Sequence, residues 1–277
     1  MTKQKNITTV KQDDWHELKQ LSDARIALGR AGVSLPSQHQ LAFQLAHAQA
    51  QDAVHYPLAL AELTSQLEDV FTDSAHSIIS LHSKATDRAR YLQRPDLGRR
   101  LDADSVKQLE SVATKQRVDL AIVIADGLSA LAISQHACAF LGCLFERFEQ
   151  DPQAWTLAPV SIVQQGRVAI GDEIGQLLNA DAVLVLIGER PGLSSPDSMG
   201  LYMTWQPKLG LSDEARNCIS NVRTAGLSYQ QAANKQYYLL AKARSLKLSG
   251  VALKEDYQAE ALVNSSPTQL ASSEEDS

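Results

Sequence analysis

Three short runs of this chain are apolar almost without interruption. Residues 183–187 read Val-Leu-Val-Leu-Ile, residues 118–124 read Val-Asp-Leu-Ala-Ile-Val-Ile, and residues 160–163 read Val-Ser-Ile-Val. Runs of this length without polar alternation predict strands buried on both faces. Between them the pattern changes period. From Ala130 to about Phe148, Leu131, Ile133, Ala137, Phe140, Leu141 and Leu144 recur at helical spacing, and a shorter helix is predicted from Asp172 with Ile174, Leu177 and Leu178 on one side. Residues 201–205 predict a further strand, residues 215–222 are ambiguous, and Ser228 caps a last helix through Tyr229, Ala233, Tyr237, Leu240 and Ala241.

The first third has a different texture. Trp15, Leu18, Leu21 and Ile26 are spaced helically up to the breaks at Gly29 and Gly32. Ser37, after Pro36, is an N-cap candidate for a helix carrying Phe43, Ala46, Ala50 and Val54, and residues 60–71 give another through Leu63, Leu67 and Val70. No strand is predicted before Pro95. The expected organisation is a helical N-terminal domain over residues 1–93, an α/β domain over 94–254, and a Ser- and acid-rich disordered tail over 255–277. The fold class is α/β, with the helical region followed by a Rossmann-like, mostly parallel sheet bearing helices on both faces.

Composition narrows the function without naming it. The chain is 44% hydrophobic and 21% charged, as expected of an ordinary soluble protein, and its net charge of −6 argues against a nucleic-acid partner. Part of that charge is local, since Glu274, Glu275 and Asp276 lie at the C-terminus. No apolar run is long enough to span a bilayer and no secretory signal opens the chain, so a cytoplasmic protein is expected. The three cysteines, Cys138, Cys143 and Cys218, form neither a disulfide framework nor a zinc motif. His39, His47 and His55 share one helical side. They lack the closer spacing and the carboxylates of a metal site, and a partly solvated face accounts for them.

The polar turns after the strands are the candidate chemistry. They are Asp126-Gly127-Leu128-Ser129, Gly166-Arg167-Val168 and Gly188-Glu189-Arg190-Pro191-Gly192. An open α/β sheet binds ligands beyond the carboxyl ends of its strands, and glycine there lets a backbone approach the ligand. Carboxylate acceptors, guanidinium donors and a hydroxyl suit amide or phosphate groups on a large ligand. The G-x-G-x-x-G and G-x-x-x-x-G-K-[ST] fingerprints, the G-x-S-x-G elbow and H-E-x-x-H are all missing. So is D-x-H-x-x-G, by which one class of B12 domain gives a histidine to cobalt. The arginines of residues 94–100, Arg-Pro-Asp-Leu-Gly-Arg-Arg, suit an anion or ion pairs with the other domain. A stand-alone nucleotide- or phosphate-binding protein built on that turn is the alternative function, although neither phosphate fingerprint supports it. A non-catalytic scaffold is a third reading.

The ordered blocks R-P-D-L-G-R-R (94–100), D-G-L-S (126–129), G-R-V (166–168), G-E-R-P-G-L (188–193) and C-I-S-N-V (218–222) resemble the small subunit of ethanolamine ammonia-lyase, as does F-Q-L-A-H-A-Q-A-Q-D-A-V-H (43–55). The likeness covers roughly residues 10–254. It implies an adenosylcobalamin-dependent lyase that converts ethanolamine to acetaldehyde and ammonia. A large TIM-barrel subunit would bind substrate and the reacting face of the cofactor, and this chain would cover the other side in a higher-order hetero-oligomer. Cobalt would keep the cofactor's own base as lower ligand, and the radical chemistry would belong to the cofactor. The resemblance implies cofactor contacts at Val168, by side chain or backbone, at Glu189, and at Cys218. Arg190 would bind the cofactor or brace Glu189, and Arg167 and Asp126 are further candidates. No catalytic residue and no metal ligand is expected in this chain. A bacterial microcompartment and the free cytoplasm both remain open, because the N-terminal extension is short.

Overall fold

In the computed structural model, which describes residues 10–71 and 77–253, the apolar runs are the inner strands of one sheet. Its strands are β1 (Ile78–His82), β2 (Val118–Ala125), β3 (Val160–Gln164), β4 (Ala180–Gly188), β5 (Met199–Trp205) and β6 (Arg216–Val222). They form a six-stranded sheet in the order β1-β3-β2-β4-β5-β6. The first four are mutually parallel, and β5 and β6 add antiparallel pairings at one edge. The mostly parallel α/β architecture expected from the sequence is therefore present.

The helices are α1 (Ser37–His55), α2 (Leu60–Val70), α3 (Arg88–Gln93), α4 (Ala103–Val112), α5 (Ala130–Glu149), α6 (Ile170–Leu177) and α7 (Tyr229–Leu246). Side chains alternate across a strand, so β2 sends Leu120, Ile122 and Ile124 to a core formed with α2, α5 and α7. Ala121 and Val123 go to a second core, formed with α4 and α6. β4 divides in the same way between Leu184 and Leu186 on one side and Val183 and Val185 on the other. Burial on both faces explains the unbroken apolar run, and each large aliphatic side chain contributes about 1.5–3 kcal/mol by leaving water. Crossover α5 lies on the first face and crossover α6 on the second, so both faces are covered where the chain passes from strand to strand.

Two buried or half-buried ion pairs fasten α6. Asp172 meets Arg216 of β6 through two short bonds of 2.6 and 2.8 Å, and Glu173 meets Arg100 at 2.9 and 3.1 Å. Glu173 also accepts from the Leu101 amide at 2.8 Å. On its sheet side, Gly171 lies so close to Val185 that a β-carbon would collide with it. The start of α6, and with it the turn carrying Val168, is fixed by these contacts.

The N-terminal third departs from expectation. Ile78–His82 is a strand paired in parallel with β3, so residues assigned to a helical unit supply an edge of the sheet. Only His16–Leu21 of the first predicted helix is helical, as a 3-10 turn. The Ser22 hydroxyl accepts from the Ala24 amide at 3.0 Å, which offers the backbone a turn in place of helix. Lys11 and Arg30 then close the segment with reciprocal amide bonds of 2.7 and 2.9 Å. Ser37 is the first helical residue and Pro36 takes the cap position without a side-chain bond. Of the predicted stripe on α1, Ala46 is buried while Phe43 is exposed. The ambiguous residues 215–222 contain β6. The acidic tail lies outside the described residues.

Candidate functional site

All three polar turns lie at the carboxyl ends of parallel strands, and two of them are locked together. Gly127 has φ +58°, and a β-carbon there would strike the Gly188 carbonyl. The Leu128 amide donates to that carbonyl at 2.9 Å, so the turns after β2 and β4 touch through backbone alone. Asp126 is buried beneath them. It accepts from the Gln165 and Gly166 amides at 2.9 and 3.1 Å, and Arg88 stands 3.8 Å away. Burial pushes its carboxyl up, while those amides and Arg88 pull it back. Asp126 thus fastens the turn after β3 and does not face a ligand.

Beside these turns is a cleft of about 370 Å³. Arg167 and Val168 line it from the turn after β3, and Leu128 from the turn after β2. Gly188, Glu189 and Arg190 line it from the end of β4, with Tyr202 of β5 and Tyr91 of α3 completing the wall. Val168, Glu189 and Arg190 are therefore brought together. Cys218 sits next to them, opposite Tyr202 in the β5–β6 ladder, close enough for the two side chains to shift each other's titration.

Glu189 is half-buried and already oriented. Its amide donates to the Ser198 carbonyl at 2.9 Å, closing the loop that follows β4. Its Oε2 accepts a short hydrogen bond from the Ser198 hydroxyl and another from the Asn221 amide at 3.4 Å. Oε1 lies against Gly200, whose missing side chain makes room for it, and takes no hydrogen bond from the described residues. The carboxylate is held by one oxygen, and the hydrogen-bonding capacity of the other is unspent among the described residues. Part of Cys218 reaches solvent, yet the protein packed around its sulfur pushes the thiol up; Tyr202 pulls it partly back and the Glu189 charge adds to the rise. Burial, with Cys218 beside it, holds the Tyr202 phenol well above its ordinary range. The thiol is a neutral, soft contact surface at neutral pH and not a nucleophile.

Residues 12–254 match the sequence model of the family described as ethanolamine ammonia-lyase light chain (EutC). The chain belongs to that family. The ethanolamine ammonia-lyase small subunit of Pseudomonas fluorescens is 55% identical over 256 residues, spanning 92% of this chain and 91% of its own length. Those of Ralstonia nicotianae and Pseudomonas aeruginosa are each 54% identical, over 92% of this chain and 94% and 92% of theirs.

In this light chain the loop after β4 is also held from the first face of the sheet. His136, buried on α5, meets the Tyr229 hydroxyl through Nδ1 at 2.9 Å and Asp197 through Nε2 at 3.4 Å. Asp197 lies 3.6 Å from Arg223, and the Ser129 hydroxyl donates to the Pro196 carbonyl at 2.8 Å. Neither His136 nor Ser198 was singled out by sequence pattern, since their partners lie on other elements. Among the described residues no group of histidine, cysteine and carboxylate side chains could hold a metal ion, His39, His47 and His55 included.

The block at residues 94–100 is largely spent internally. Arg94 forks onto Asp96 and Arg100 onto Glu173, in keeping with ion pairs more than with an anion grip. Its glycine matters more to the site. Gly98 accepts from the Arg167 amide at 2.8 Å, and a β-carbon there would stand 2.9 Å from both the Arg167 stem and the Tyr91 ring.

Proposed function

We propose that this chain is the small subunit of an adenosylcobalamin-dependent ethanolamine ammonia-lyase, which converts ethanolamine to acetaldehyde and ammonia, and that it holds one side of the cofactor against a large catalytic subunit. The observation that carries the reading is the convergence of Val168, Glu189 and Arg190 on one cleft at the carboxyl edge of the sheet, with Cys218 adjoining. A cleft of about 370 Å³ is at the small end for a complete ligand site, so it suits one edge of a macrocycle whose other side belongs to a partner. The donor set fits. Val168, Leu128 and Ile187 offer apolar contact, and Oε1 of Glu189 is a preset acceptor for a peripheral amide N–H. The Arg167 Nε is buried without a partner.

Bound cofactor supplies radical chemistry through its cobalt–carbon bond. This chain's residues bind, orient and shield. Glu189, pinned by Ser198 and Asn221, would hold the cofactor by accepting from one of its peripheral amides. Val168, just before α6, would give the cofactor an apolar wall, and Cys218 beside Tyr202 would give it a soft contact. Arg190 is exposed and either reaches the cofactor or balances Glu189. The chain acts in the cytoplasm, free or inside a microcompartment; no described helix is long and apolar enough to cross a membrane. The test is reconstitution. The purified chain alone should form no acetaldehyde from ethanolamine, and co-expression with a large subunit should yield a complex that carries cobalamin absorbance and is active. Acetaldehyde from the isolated chain, or a complex indifferent to cobalamin, would sink the reading.

A further inference from the structure

Tyr91 is flanked by two guanidinium groups whose circumstances differ. Arg88 lies 4.9 Å from the ring centroid and Arg167 4.3 Å. Arg88 is committed to the fold: its Nε donates to the Val54 carbonyl at 2.7 Å, its Nη1 to the Gly127 carbonyl at 2.7 Å, and it faces Asp126. Arg167 has no carboxylate or carbonyl partner among the described residues, and its Nε is buried and unbonded. The group is nevertheless rigidly placed. Its amide is tied to Gly98, its stem lies in the space that Gly98 leaves, and its guanidinium carbon lies over the ring of Tyr91, whose hydroxyl is itself fixed to the Gly166 carbonyl at 3.0 Å. A half-buried cation with no countercharge, held over an aromatic ring and lining the cleft, is organised for an anion from outside the chain.

Resting on the cofactor reading above, we propose that Arg167, seated on Tyr91 at the cleft wall, binds the phosphodiester of the cofactor's nucleotide arm. Cobalamin's periphery is otherwise composed of neutral amides, so that phosphodiester is the natural countercharge for the unpaired guanidinium. Arg190 also lines the cleft without a charged partner among the described residues, but it is exposed and lies over no aromatic ring of theirs. Glu189 and Arg167 would then divide the ligand, one taking an amide donor and the other the anion.

The assignment is tested on the complex with the large subunit, by equilibrium titration with cyanocobalamin and with cobinamide, which lacks the phosphodiester and the nucleotide. Removing a charge-assisted hydrogen bond of this kind costs about ten- to a hundredfold in affinity. Arg167→Gln should weaken cyanocobalamin by that factor and leave cobinamide within about twofold, while Arg167→Lys should recover part of the loss. The 31P resonance of bound cobalamin should also move toward its free position in Arg167→Gln. Equal losses for both ligands, no loss for either, or an unmoved 31P resonance would overturn the assignment and leave the cofactor reading standing. Weaker assembly of the cofactor-free Arg167→Gln complex would overturn it too, by showing that Arg167 meets an acid of the large subunit. A wild-type complex that binds neither ligand would overturn the assignment together with the cofactor reading.

Discussion

Asp126 and Glu189 stand at equivalent places, each one residue past the end of an inner parallel strand, and they serve opposite purposes. Asp126 is buried and spends its carboxylate on the amides of Gln165 and Gly166. Glu189 is half-buried, lines the cleft, spends one oxygen on Ser198 and Asn221, and leaves the other, which lies against Gly200, without a hydrogen bond from the described residues. Arg88 and Arg167 repeat the contrast at the ring of Tyr91. A polar strand-end turn is therefore not a site by position. It becomes one when its hydrogen-bonding capacity is left partly unspent.

The comparison breaks most visibly in stability. Replacing Asp126 by Ala leaves two buried amides and Arg88 without their acceptor, and should cost about 3–5 kcal/mol in a urea titration. A loss below about 1 kcal/mol would mean that water substitutes for the carboxylate. Gly98→Ala should cost about 1–3 kcal/mol, because Arg167 and Tyr91 cannot both stay 2.9 Å from the new β-carbon. It should also weaken cobalamin binding by displacing Arg167, although residue 98 itself does not line the cleft. His136→Ala should cost about 1–3 kcal/mol by releasing Tyr229 and Asp197, and hydrogen exchange of residues 190–198 should quicken while that of β2 does not.

The smallest effect is chemical. A raised thiol pKa means a smaller thiolate fraction at any given pH, so Cys218 should alkylate more slowly at pH 8 than the same cysteine in unfolded chain. Its rate should keep rising with pH beyond the ordinary thiol midpoint, and cobalamin bound to the complex should protect it. Peptide mass spectrometry separates it from Cys138, whose thiol burial pushes up to about 11, and from Cys143. Rapid alkylation of Cys218 at neutral pH would contradict its neutral state.

Much of the fold was legible because β2, β3 and β4 are buried on both faces, which writes an unbroken apolar run into the chain. β1 was not, because Ile-Ile-Ser-Leu-His is a short edge strand with one side chain of its run exposed. β6 was ambiguous for a similar reason, since Asn217, Cys218 and Ser220 lie on its less covered positions. The strand-end turns carrying Val168, Glu189 and Arg190 could be found from their glycines and position. Tyr91 could not, since it sits in a six-residue helix and acts on Gly166, far along the chain. The block 94–100 drew notice for its arginines, while Gly98 is the residue that shapes the cleft wall.

The central claim is that Glu189, unlike Asp126, is left free for the cofactor. The direct measurement is a titration of the large-subunit complex with adenosylcobalamin, comparing wild type with Glu189→Gln and following the urea midpoint of each. The account predicts affinity weakened about tenfold, the worth of one charged acceptor, with stability changed by about 1 kcal/mol or less. Unchanged affinity, or a loss of affinity matched by a collapse in stability, would contradict it.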